Sequence, residues 1–263
     1  AYLMQRPQTV ADCVAAIRAA VRVPVTVKMR IGVVEGRDRA ALEASRRFDL
    51  ADRDALYRFV AGVRDAGCGA VIVHARKAVL GGLSAQENRQ IPPLQYDVVT
   101  ELKRAFPDLP VVVNGGLREP DAVLGALERV DGVMLGREAY HRPLFLARLH
   151  ALVFGAEENA GRSHPNRETL DAIVRTRVME RMESYTERQL SHGEKLLSIV
   201  RHLQGLYAGE PGAEEFRRTL SEGARRAGGR AGAGTELLLA AVASARLSSP
   251  AAPPSIAPAM CSR

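Results

Sequence analysis

Several protein classes are excluded by what this chain lacks. It has three cysteines, Cys13, Cys68 and Cys261, odd in number and without a repeated spacing. That excludes a disulfide scaffold and a four-cysteine zinc site, and it fits a reducing, cytoplasmic compartment. Cys13 and Cys68 stand among apolar neighbours and are expected in the core. No apolar run reaches the ~18 residues of a membrane helix, and no signal-peptide pattern opens the chain. The six histidines show no ligand spacing, so no metal is expected. Neither a G-x-x-x-x-G-K-[ST] loop nor a G-x-G-x-x-G fingerprint occurs. Charge is not segregated: residues 1–161 carry 22 basic and 19 acidic side chains, and residues 162–232 carry 13 and 10. The net charge of +7 suits a polyanionic partner. An arginine-rich composition with only four lysines produces the same number, so charge alone decides nothing.

What is present is an alternation of strands and helices over the first 155 residues. Apolar spacing from Val10 to Val21 predicts a helix, and Val23–Arg30 reads as a strand. Residues 34–51 are charged and irregular, and look like an insertion. Leu56, Phe59, Val60 and Val63 form the next helical stripe, stopped at Gly67. Ala70–His74 is a second strand, followed by a long loop from Ala75 to about Leu94. A helix at 97–105 leads to the strand Val111–Asn114. A helix from Pro120 to about Arg129 leads to the strand Gly132–Gly136, and a last helical pattern covers 143–153. Four such units argue for a parallel sheet covered by helices. A complete (β/α)₈ barrel takes about 250 residues, so the count suits half a barrel; an open doubly wound sheet is the alternative. Residues 156–164 read as a linker, 165–243 carry helical spacing only, and 244–263 have a Ser/Pro/Ala composition expected to be disordered.

Each strand ends in a polar or glycine element: Lys28 with Arg30, His74 with Arg76, Asn114 with Gly115 and Gly116, Gly136 with Arg137. In parallel α/β folds sites assemble at the carboxyl ends of strands. Glycines at 115, 116 and 136 let backbone N–H groups approach an anion, and Lys28 and His74 can donate to a polarised ring or carbonyl. The set suits a phosphorylated cofactor or substrate. The 75–94 loop is long for a compact domain, which points to function, and holds Arg76, Lys77 and Arg89 against the single acid Glu87.

Taken together, Val25–Gly32, Val73–Ala78, Glu87–Leu94, Val113–Gly116 and Asp131–Tyr140 resemble segments of the tRNA-dihydrouridine synthases, the bacterial A-type subfamily most closely. The likeness runs from Ala1 to Gly155 and continues more weakly to about 243. It implies the C-terminal half of an FMN-binding TIM barrel followed by a small helical tRNA-recognition domain. By resemblance Lys28 and His74 meet the flavin ring. Asn114, Gly115, Gly116, Gly136 and Arg137 meet the FMN phosphate, and Arg76 and Lys77 lie where the family meets flavin or RNA. In the family NADPH reduces FMN, hydride passes to the uracil 5,6 double bond, and a cysteine serves as general acid. The target base must leave its stack. That cysteine lies in an Asn-x-x-Cys-Pro segment upstream of Ala1, and none of the three cysteines here matches it. The chain is therefore expected to be truncated and inactive by itself. A non-catalytic tRNA-binding remnant, or a barrel enzyme acting on a small phosphorylated metabolite, are the competing readings.

Overall fold

The computed structural model describes residues 1–158, 166–227 and 232–247, and contacts divide the chain into two compact units, 1–136 and 137–263. The expected break near 155 is thus not where the packing divides, because the helix predicted for 143–153 belongs with the second unit. The expected linker lies mostly outside the described residues. So does most of the expected tail, whose first four residues instead end a helix.

In the first unit, helix α1 (Pro7–Ala20) begins on a proline whose missing N–H costs nothing at a first helical position. Strand β1 runs Thr26–Gly36, followed by helices α2 (Arg39–Arg46) and α3 (Leu50–Asp65). The Asp38 carboxylate caps α2 by accepting from the Ala41 N–H. Asp49 and Asp52 cap α3 reciprocally, each carboxylate accepting the other's backbone N–H at 2.9–3.0 Å. Strand β2 (Ala70–Gly81), helix α4 (Tyr96–Ala105), strand β3 (Val111–Asn114), helix α5 (Pro120–Leu127) and strand β4 (Gly132–Met134) complete it. The four strands form one parallel sheet in sequence order, β1-β2-β3-β4. The predicted α/β class and strand order hold.

Alternation divides each strand between two faces. Met29, Val71, Val73, Val111 and Val113 are buried together with Leu56, Val60 and Val63 of α3 and Val99 and Leu102 of α4. Burying each such side chain contributes about 1.5–3 kcal/mol, so this face holds the unit together. The opposite face carries Lys28, Ile72, Val112 and Gly132 in one cross-strand row. Arg30, His74, Asn114 and Met134 form the next.

Two expectations change. The segment taken as the start of an insertion, Val33–Gly36, continues β1. The segment taken as the start of a loop, Lys77–Gly81, continues β2, and the two pair with each other after a register shift between Arg30 and Gly32. A strand whose only support is a distant segment gives no local signal beyond its β-branched residues. Cys13, expected in the core, is exposed, because α1 buries only Ala11 and Val14 and leaves Ile17 and Val21 uncovered; Cys68 is buried.

The second unit is helical: α6 (Arg137–His141), α7 (Leu144–Glu158), α8 (Arg167–Ser191), α9 (Leu196–Val200), α10 (Ala213–Arg226) and α11 (Ala233–Leu247). Its core gathers Val200, Leu206, Phe216, Leu220, Leu238 and Ala241. The buried Asp171 carboxylate accepts two bonds from the Arg148 guanidinium, so this charge is satisfied where an unpaired one would be costly. No helix among the described residues is long and apolar enough to cross a membrane.

Candidate functional site

Lys28 lies on β1 and Asn114 on β3, with β2 between them, yet the Lys28 Nζ donates to Asn114 Oδ1 at 2.9 Å. Strands sit about 4.8 Å apart, so this bond reaches over β2 on the face opposite the packed helices. The Asn114 amide in turn donates to the Met134 carbonyl at 2.8 Å, so the two bonds tie β1, β3 and β4 across neighbouring rows. Partial desolvation first, and the Arg30 charge second, hold the Lys28 ammonium below the usual lysine range.

Lys28 and Asn114 line a cavity of about 610 Å³ with Arg30, His74, Asn88 and Arg89; no carboxylate lines it, and neither do Gly115, Gly116, Gly136 and Arg137. Burial, then the charges of Arg76 and Arg89, lower the pKa of the Arg30 guanidinium. Lys28, Arg30 and Arg89 thus bring positive charge to a wall in which no carboxylate stands. Among the described residues no three His, Cys, Asp or Glu side chains are grouped to hold a metal.

The glycines divide into two kinds. Gly115 (φ 119°) and Gly116 (φ 68°) occupy a backbone region that side chains avoid. A Cβ on Gly115 would lie 2.7 Å from the His74 ring, and one on Gly116 would lie 2.4 Å from Leu94. Packing by itself therefore requires glycine at both. Gly136 has nothing within 4 Å of where its Cβ would be, so no protein neighbour demands glycine there. Arg137 follows it and opens α6 on an exposed position.

Arg76 and Lys77 are placed inside the protein. Arg76 donates to the carbonyls of Gln90 and Pro92, which pins the segment after β2. Lys77 is 3% exposed; its ammonium meets the Asp52 carboxylate at 2.5 Å and the Ala44 carbonyl at 3.2 Å. The charge counted in a basic loop is thus spent on α2 and α3.

A model of the family described as dihydrouridine synthase matches residues 1–242. The chain belongs to the dihydrouridine synthase family. It is 45% identical over 221 residues to a tRNA-dihydrouridine(20/20a) synthase of Pseudomonas syringae pv. tomato, covering 84% of this chain and 58% of that protein. The like-named protein of Xanthomonas campestris pv. campestris is 42% identical over 238 residues, covering 90% and 62%. That of Escherichia coli O6:H1 is 42% identical over 229 residues, covering 87% and 61%. The chain thus spans about three-fifths of the length of these relatives. A solved structure of the Salmonella typhimurium RcsB response regulator aligns at TM-score 0.24 and 14% identity over 82% of this chain and 92% of that one, too slight to bear on the fold.

Within this family member, sequence reasoning singled out Lys28, His74 and Asn114, and the structure brings all three to one cavity. It missed the role of Arg30, which donates to the carbonyls of Lys77 and Asn88 at 3.0 Å each. It also missed Asn88, whose amide brackets β2 by accepting from the Val79 N–H and donating to the Val79 and Leu83 carbonyls. Tyr96, whose hydroxyl donates to the Gly115 carbonyl at 2.5 Å, drew no reading from the sequence. A buried strut carries no sequence signal of its own. Arg89 was visible as a loop cation, and it does line the cavity.

Proposed function

We propose that this chain is the C-terminal part of a flavin-dependent enzyme that reduces uridine to 5,6-dihydrouridine in tRNA, with NADPH as reductant. By the names of its relatives the target is at positions 20 and 20a. The observation that carries the reading is the carboxylate-free cationic cavity around the Lys28–Asn114 bond. Its donor set fits the FMN ring: an ammonium and an imidazole for the ring carbonyls and an amide between strands; Gly136, which does not line the cavity, leaves a backbone open to a phosphate. Arg137, following Gly136, would add charge to that phosphate. Bound FMN supplies hydride to a carbon–carbon double bond. Lys28 and His74 would hold the ring by donating to its carbonyls, and with Arg30 and Arg89 they would keep the cavity positively charged toward an anion. A tRNA substrate also implies a cytoplasmic location.

The sheet supports a half-barrel. β1 and β4 are both edges, and Ile17, Val21 and Val23, in the helix and turn that precede β1, are exposed. Neither described cysteine lines the cavity: Cys13 is on the surface of α1, and burial raises the pKa of the Cys68 thiol, which donates to the Ala70 carbonyl. This favours a general acid from outside these residues. It also gives weight to a second reading, a non-catalytic tRNA-binding remnant.

Flavin binding tests the site. In a version extended upstream to the length of its relatives, FMN should co-purify, and Asn114→Ala should weaken its binding at least about tenfold, from the loss of two hydrogen bonds. Equal flavin binding by the variant would remove the Lys28–Asn114 pair from the cofactor site.

A further inference from the structure

Helix α6 ends against the 3₁₀ turn Arg201–Leu203, and Gly205 makes the approach possible. A Cβ there would lie 2.6 Å from the His141 carbonyl oxygen and 2.8 Å from that of Tyr140. The contact shapes a cavity of about 320 Å³ lined by Tyr140, His141, Arg201, His202, Gln204 and Arg217, with no carboxylate in its wall. Some arginines of this unit find acids, Arg148 with Asp171, Arg175 with Glu210 at 3.0 Å and Arg226 with Glu222 at 2.7 Å, while among the described residues others, such as Arg177, Arg181 and Arg225, do not. Arg218, next in sequence to Arg217, meets Glu215. Among the described residues, neither Arg201 nor Arg217 meets a carboxylate.

The neutral groups are arranged to match. Tyr140 and His202 meet edge to face, ring centroids 5.8 Å apart, and the Tyr140 hydroxyl lies 3.0 Å from His202 Nδ1. The Arg201 Nε–H donates to His202 Nε2 at 3.2 Å. Nε2 therefore carries the lone pair and Nδ1 the proton, so Nδ1–H donates to the tyrosine oxygen. That leaves the phenol proton for another acceptor. It also leaves the terminal N–H groups of Arg201 and all of the Arg217 guanidinium. A phenol and two guanidinium forks around one small cavity suit a tetrahedral oxyanion.

We propose that this cavity seats a backbone phosphate of the RNA substrate, gripped by Arg201 and Arg217 and oriented by the Tyr140 hydroxyl. The inference rests on the tRNA reading above and adds to it a specific point of attachment on the helical unit, built from residues that lie outside the flavin cavity. Tyr140, Arg201 and Arg217 are all exposed, so the cavity is open to a polyanion from solvent.

The test uses the full-length protein and unmodified tRNA, with affinity measured across a salt series. Arg201→Gln with Arg217→Gln should lower affinity about tenfold or more at low salt and reduce the log–log salt slope by about one, the loss of one neutralised phosphate. Tyr140→Phe, which keeps the ring, should weaken binding about threefold without changing the slope. Bound flavin should be the same in all three proteins. Unchanged affinity and slope in the double variant overturn the proposal. So does inorganic phosphate that saturates the cavity while leaving tRNA affinity untouched, which would assign it to a small anion. A wild-type protein that binds no tRNA overturns the functional reading as well, whereas tRNA binding that ignores these three side chains overturns this inference alone.

Discussion

Lys28 is a cation held where its charge is disfavoured, by desolvation and by Arg30, with only the Asn114 amide to receive it. Its pKa lies below the unfolded value, so between the two the folded protein binds fewer protons than the unfolded one. The penalty is therefore present at neutral pH, and it is relieved as pH rises from the depressed value toward that of an ordinary lysine. An anionic ligand reverses the sign, because it favours the charged form. Flavin affinity should accordingly fall as pH rises through the Lys28 titration. Lys28→Met should bind flavin at least about tenfold more weakly while the ligand-free protein melts at the same temperature or higher. Loss of melting temperature with flavin binding intact would make Lys28 structural. Lys77 is the converse case. Its partner Asp52 also caps α3, and removing the ammonium leaves that carboxylate uncompensated. Lys77→Ala should cost on the order of 3 kcal/mol in denaturant unfolding and leave the salt slope of tRNA binding unchanged. A flattened slope at unaltered stability would return Lys77 to the RNA surface.

The strand ends and the segment after β2 act as one element. Arg30 holds the Asn88 carbonyl, Arg76 holds those of Gln90 and Pro92, and Asn88 is bonded on both sides of Val79. Asn88→Ala would leave a buried N–H and carbonyl of Val79 without these partners, at about 1–3 kcal/mol each. Amide exchange across residues 79–92 should quicken, and the cavity that Arg89 lines should bind flavin more weakly. Exchange confined to residue 88 itself would show that the segment is held by other contacts. How much of this was legible follows from range. The cores of β1–β4 could be read because apolar β-branched runs are local signals. The polar strand ends could be read because parallel folds gather function there. The second half of β2 looked like a loop since Arg76 and Lys77 are charged, and distant groups, Asp52 and the Ala44 carbonyl for Lys77 and the Gln90 and Pro92 carbonyls for Arg76, help make those charges tolerable inside. Gly115 and Gly116 were legible as special positions, but the steric reason, His74 and Leu94, was not.

At the scale of the whole molecule, the account is a sheet with two edges whose functional face holds the cationic cavity, and a helical unit with a cationic cavity of its own. On the proposed reading, flavin contacts and a general acid are supplied from outside residues 1–263, the acid by itself contributing about 10²–10⁴ in rate. The most direct measurement compares dihydrouridine in unmodified tRNA after incubation with FMN and NADPH, using this chain and its upstream-extended version at equal concentration. The account predicts dihydrouridine at the relatives' positions from the extended protein and none above background from residues 1–263. Equal product from both would contradict it, since an acid among the cysteines of this chain would then have to serve. No product from the extended protein, with flavin bound, would contradict the enzymatic reading altogether.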